Sequence, residues 1–175
     1  PNYYGGLEML WVPAEAMRPL SPEGVEPISP EALDKRVGVD IKRQTLSCYE
    51  GAVEVFYCRV STGIEAGSTP LGMHRVSRKF ISLQMSGSGS GGTGAGYDLP
   101  GIGWTSIFVT GGVAIHATVW HNEFGFQRSH GCVNCLPQDA KWIFRWLQPT
   151  VNYDPGMLDI SMTGDSSTTV EVIET

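Results

Sequence analysis

Short alternating apolar and polar runs, punctuated by glycine, fill this chain after residue 36 and leave room for only one good helix. Val37-Gly-Val-Asp-Ile41, Gln44-Thr-Leu-Ser-Cys-Tyr49, Val53 to Val60, Phe80-Ile-Ser-Leu-Gln-Met85, Ser106-Ile-Phe-Val109, Val113-Ala-Ile-His116 and Thr169-Val-Glu-Val-Ile173 all fit extended strands. Successive side chains of a strand point to opposite faces, so each run buries one face. The pattern predicts a mainly β domain, a sandwich or curved mixed sheet. Pro137 to Leu147 is the exception, with Pro at the first helical position, an early Asp139, apolar Trp142, Ile143, Trp146 and Leu147, and Pro149 to stop it. Its tryptophans are expected in the core.

At 175 residues and 41% hydrophobic content the chain is long enough for one well-buried core. Twelve basic against eighteen acidic residues give a net charge of -6, with no basic cluster to neutralise phosphates. Nucleic acid is therefore not an expected partner. No run reaches the roughly 20 apolar residues that span a bilayer, so no transmembrane segment is expected in this fragment. The chain starts at Pro1, and any export signal is expected upstream of it.

Residues 1–35 hold six of the eleven prolines and lack sustained periodicity, which predicts a linker or the tail of a preceding module. Leu7 to Val12 is a candidate last strand of that module. The main domain is expected over 36–175. Within it, Ser86-Gly-Ser-Gly-Ser-Gly-Gly-Thr-Gly-Ala-Gly96 cannot bury apolar surface and reads as a mobile loop. A long loop inside a compact domain is often a lid, and Tyr97 and Trp104 at its aromatic end suit a flap closing on a peptide.

Cys48 and Cys58 lie on a hairpin turning at Glu50-Gly51. A turn that pairs Tyr49 with Ala52 sets Cys48 opposite Val53 and leaves Cys58 several residues away. No bridge between them is expected, and each is read as a small apolar residue.

The chemistry concentrates in Ser129-His130-Gly131-Cys132-Val133-Asn134-Cys135. A thiol is mostly protonated at neutral pH, so a nucleophilic Cys needs a base or a positive field beside it. If 130–134 run extended, His130, Cys132 and Asn134 share one side. His116 ends an alternating strand on the face opposite Val113 and Ile115, free to present its ring to a neighbouring segment. Gly131 allows close backbone approach, and main-chain N–H groups near Cys132 are candidates for an oxyanion hole. On these residues alone neither histidine is favoured as the base.

Other chemistries fit less well. Structural zinc wants four ligands, usually as two spaced pairs, and no second Cys-x-x-Cys accompanies Cys132-Val-Asn-Cys135; His116, His121 and His130 are unconventionally spaced for a metal. Haem attachment requires His where Leu136 stands. A thioredoxin-like motif needs a βαβ setting that strand, loop and helix do not provide. No cofactor or metal is expected.

His116 followed by a loop and Ser129-His-Gly-Cys-Val-Asn134 resembles the signature of the L,D-transpeptidase catalytic domain, the YkuD-type fold of bacterial cell-wall enzymes. Val37 to Leu46 resembles the family's opening strands, Val60-Ser-Thr-Gly63 and Thr69-Pro-Leu-Gly72 its two glycine motifs, and Asp139-Ala-Lys-Trp142 its helix after the cysteine. The likeness covers roughly 36–175. Trp11-Val-Pro-Ala and Arg18-Pro-Leu20 weakly resemble the end of an SH3-like wall-binding module.

This resemblance implies a YkuD-like fold and an exchange on peptidoglycan stem peptides, outside the cytoplasm in cell wall or periplasm. Cys132 would attack the carbonyl of the L-centre of a diamino acid, expel D-Ala and form a thioester, which an acceptor amine resolves into a 3→3 cross-link. His116 would be the base, oriented by a main-chain carbonyl near Ala117. His130 would support the site, Ser129 and Asn134 would contact substrate, and the N–H groups of Gly131 and Cys132 would hold the oxyanion. A carboxypeptidase that hydrolyses the same acyl-enzyme and a non-catalytic wall-binding module are the alternatives. Two positions depart from the pattern: Ala117 replaces the Ser of some members, and Cys135 introduces a second thiol whose oxidation with Cys132 would silence the nucleophile.

Overall fold

The alternating runs pair into two five-stranded sheets in a computed structural model that describes residues 13, 15, 19–87, 97–160 and 166–175. The first sheet takes β1 (Lys35–Asp40), β2 (Thr45–Glu50), β3 (Val53–Arg59), β4 (Gly72–Arg75) and β10 (Thr169–Ile173) in the order β3-β2-β1-β10-β4. The second takes β5 (Arg78–Gly87), β6 (Tyr97–Val109), β7 (Val113–Ala117), β8 (Val133–Cys135) and β9 (Met157–Asp159) in the order β8-β7-β6-β5-β9. Each sheet contains one parallel pair, β1 with β10 and β7 with β8, among antiparallel neighbours. The fold is the expected mainly β, mixed-sheet one.

The single α-helix among the described residues, α1 (Pro137–Trp146), opens on Pro137 and buries Ala140, Ile143, Phe144 and Trp146. Val37, Val39, Val170 and Val172 of the first sheet, Ile115 and Val133 of the second, and Ile143, Trp146 and Leu147 form one core. Trp142 stacks on Phe56 with ring centroids 4.3 Å apart, and Trp146 is fully buried. Both tryptophans are packing residues, as expected.

Several expectations are corrected. The hairpin pairs Glu50 with Val53, and a register shift between Cys48 and Tyr49 sets Cys48 opposite Phe56. An extra residue in one strand moves every later partner, which the turn sequence alone did not reveal. Cys48 and Cys58 are buried free thiols, as read. Residues 97–104 are the first part of the 13-residue β6, paired with β5 from Gly87↔Tyr97 onward. The low-complexity stretch 88–96 and the strand suggested at Leu7 to Val12 lie outside the described residues. Residues 20–34 run along α1: Val25 is buried, Ile28 N–H donates to Arg145 O (3.1 Å), and Arg145 Nε donates to Glu26 O (2.6 Å).

Candidate active site

Parallel pairing of β7 with β8 builds the site. His116 is in register with Asn134, Ile115 with Val133 and Ala117 with Cys135. Ile115 and Val133 enter the core, so His116 and Asn134 share the other face. Cys132 immediately precedes β8. His116, Cys132, Asn134, Ser129, His130 and Gly131 all line one cavity of about 220 Å³.

His116 is 4% exposed, and its Nδ1 lies 2.9 Å from Ala117 O. A carbonyl only accepts, so Nδ1 carries the proton and Nε2 keeps a free lone pair. Burial holds the imidazole below its ordinary 6.5, opposed by the Ala117 hydrogen bond. The ring is therefore a neutral base near pH 7. Cys132 is half-buried, its thiol donating to Gly112 O at 3.8 Å. Burial raises it above the ordinary 9.0, opposed in part by the Ala114 backbone. Both shifts favour a neutral thiol and a neutral imidazole over an ion pair.

The loop that presents the thiol is held from below. Residues 130–132 bend rather than run extended, with Gly131 at φ +146, and His130 is exposed while still lining the cavity with Cys132 and Asn134. A Cβ on Gly131 would stand 2.5 Å from Ser68 O. Thr69 Oγ1 donates to Gly131 O (2.7 Å) and accepts from Gly63 N–H (2.9 Å), joining both glycine motifs to the cysteine loop. Ser129 Oγ donates to Cys132 O (2.5 Å) and accepts from Gly131 N–H (3.0 Å). Ser129 thus acts as a clamp on the turn. Gly131 N–H is engaged there and not offered to an oxyanion.

Trp104 lies elsewhere. With φ +56 it turns toward α1, its ring 5.5 Å from that of Phe144 and under the Lys141 ammonium at 5.2 Å. It packs against the core and does not line the cavity. Tyr97 begins β6, and its side chain lies outside the described residues. Met85 and Leu99, register partners on β5 and β6, instead provide the wall from that hairpin. Trp120, half-exposed with its ring 6.0 Å from His116, and Arg128 complete it. Sequence reasoning missed these four because strand register and loop path set them. Gly112, the thiol's acceptor, was visible in the Gly-Gly before His116. Cys135, three residues past Cys132, is fully buried in the core as a free thiol. No group of three or more metal-ligating side chains occurs among the described residues.

A family profile described as YkuD, L,D-transpeptidase catalytic domain, matches residues 34–172. No curated protein sequence matches the chain. An L,D-transpeptidase from Mycobacterium smegmatis is similar at TM-score 0.63 and 21% identity, over 80% of this chain and 58% of that one. L,D-transpeptidase 3 from Mycobacterium tuberculosis, solved in complex with a faropenem-derived adduct, is similar at TM-score 0.62 and 22% identity, over 80% and 60%. This chain therefore spans less than two thirds of those proteins. The catalytic domain of the Enterococcus faecium L,D-transpeptidase is covered over 97% of its length by 80% of this chain, at TM-score 0.59 and 22% identity. At such identities the structural likeness establishes the fold, and the profile establishes the family. The chain belongs to the YkuD family of L,D-transpeptidase catalytic domains.

Proposed function

We propose that the chain is a peptidoglycan L,D-transpeptidase that forms 3→3 cross-links through a thioester on Cys132, with release of D-Ala. The observation that carries this reading is the shared cavity of a half-buried thiol and a buried imidazole locked in its Nδ1–H tautomer. His116 Nε2 takes the proton of Cys132 as sulfur attacks the peptide carbonyl. The developing oxyanion is held by Cys132 N–H, since Gly131 N–H is engaged by Ser129. The carbon–nitrogen bond to D-Ala breaks, and the proton on His116 leaves with its amine. An acceptor amine then attacks the thioester and gives its proton to His116, which returns it to sulfur. His130 and Ser129 support the loop. The apolar Met85 and Leu99 side chains face the peptide.

The substrate places the protein outside the cytoplasm, in cell wall or periplasm. No helix among the described residues is long and apolar enough to cross a membrane. Incubation with a purified tetrapeptide donor and an amine acceptor tests the reading by mass spectrometry. Free D-Ala with a cross-linked dimer is expected. D-Ala with hydrolysed tripeptide alone would make the protein a carboxypeptidase, and no D-Ala would overturn the proposal.

A further inference from the structure

His121 lies outside every role so far assigned. Its Nδ1 accepts the Glu123 backbone N–H at 3.2 Å, and its Nε2 stands 3.1 Å from the side-chain nitrogen Nδ2 of Asn134 on the cavity wall, with Asn134 Oδ1 in the other, buried position. Accepting at Nδ1 leaves that atom unprotonated, so in the neutral ring the proton sits on Nε2. Burial, assisted by Arg128 and opposed by Glu123, favours that neutral form. Nitrogen and oxygen of a carboxamide are distinguished by their partners. An Nε2–H and the Asn134 NH2 are both donors and cannot pair, so the carboxamide is turned over from that placement, with its oxygen toward His121. The NH2 then occupies the other position, which is buried and has no hydrogen-bond partner among the described residues. Asn134 cannot swing away, because its backbone pairs with Ser61 in both directions at 2.8 and 3.0 Å and its residue is 2% exposed. Buried polar groups are rarely left unpaired, and one that is unpaired beside a catalytic pair calls for a partner such as water, an ion or substrate.

We propose that His121 is a positioning residue: it fixes the Asn134 carboxamide so that the NH2, beside His116 and Cys132, donates to a backbone carbonyl of the donor peptide. This rests on the transpeptidase reading for its substrate. The juxtaposition is specific, since the opposite amide orientation would set a carbonyl oxygen against substrate oxygens and repel them. His121 touches neither thiol nor base and acts only through Asn134.

Two measurements test it on the full chain. A long-range proton–nitrogen spectrum of the unliganded protein at pH 7 should report His121 as the neutral Nε2–H tautomer. An Nδ1–H tautomer overturns the inference, whatever reaction the protein catalyses. Steady-state kinetics of D-Ala release are then compared for His121→Phe, which keeps a ring against Phe124, and His121→Gln, which keeps an N–H donor. The KM for donor peptide should rise about tenfold in His121→Phe with kcat changed less, the loss of one good hydrogen bond. His121→Gln should restore KM to within about threefold. In the background of Asn134→Ala, His121→Phe should have no further effect, because the two act as one unit. Unchanged KM in His121→Phe, no rescue by Gln, or simple additivity with Asn134→Ala would each overturn it. A wild-type protein that releases no D-Ala would sink the transpeptidase reading instead, and the tautomer measurement separates that failure from this one.

Discussion

Gly131 carries the tightest steric constraint in the site. At φ +146, with Ser68 O standing 2.5 Å from where a Cβ would be, no other residue fits without moving the thiol. Backbone strain at such a position costs about 1–3 kcal/mol before the clash is counted. Gly131→Ala is expected to slow acylation of Cys132 by a carbapenem about tenfold or more, measured as the second-order rate; a wild-type rate would show that the loop is not held from below. His116 sets the pH dependence. Burial keeps it below 6.5, so the base form persists as pH falls past that value and is lost only on passing the lowered pKa. Burial keeps Cys132 protonated above its ordinary 9.0, so no thiolate limb enters below that pH. The acid limb of kcat/KM is therefore expected below pH 6.5, and a limb centred above it would contradict a buried neutral base. This orientation was only partly legible in the sequence. The motif around Cys132 gave the nucleophile, and the family resemblance gave His116, but the engagement of Gly131 N–H by Ser129 depends on a bend that an extended reading of 130–134 missed.

At the scale of elements, α1 is held at its C-terminal end by a lysine from a distant strand. Lys79, fully buried on β5, donates to Phe144 O (2.8 Å), Leu147 O (2.7 Å) and Pro149 O (2.9 Å), with its ammonium 4.6 Å from the centre of the Phe144 ring. Phe144 O and Leu147 O are among the unpaired acceptors that a helix end leaves, at the negative end of its dipole, and Pro149 O lies just beyond them. Burial, assisted by the Lys35 charge, pushes the ammonium down to about 7. Lys79→Met keeps the apolar stem but strips three carbonyls of their donor. It is expected to lower the unfolding free energy by about 2–4 kcal/mol in urea titration, whereas a change under 1 kcal/mol would make the contacts incidental. The helix itself was readable from Pro137, Asp139 and its apolar spacing. Its cap was not, because Lys79 is separated from these acceptors by 65 to 70 residues, and three of the ten strands among the described residues, β4, β8 and β9, were too short to show alternation.

Over the whole molecule, two sheets and one helix share a core, and the site opens on the face of the second sheet away from it. Prolines break the periodicity of the N-terminal segment, which reads as a linker or the tail of a preceding module; within it Val25 is buried and Ile28 packs against the core. Burying two aliphatic side chains contributes about 2–4 kcal/mol. Deleting residues 1–33 is therefore expected to lower the thermal midpoint by roughly 5–15 °C, while an unchanged midpoint would support the linker reading with the domain starting at 36. The architecture was legible in the sequence because strand alternation is local. The wall of the cavity was not, because Met85, Leu99 and Trp120 reach it through register and loop path.

The most direct test of the central claim, that Cys132 and His116 act as nucleophile and base, is the intact mass of the protein after exposure to a carbapenem near pH 7. A single covalent adduct is expected, absent in Cys132→Ala and formed about a hundredfold or more slower in His116→Gln. An adduct that survives Cys132→Ala, no adduct on the wild-type chain, or a wild-type rate in His116→Gln would contradict it.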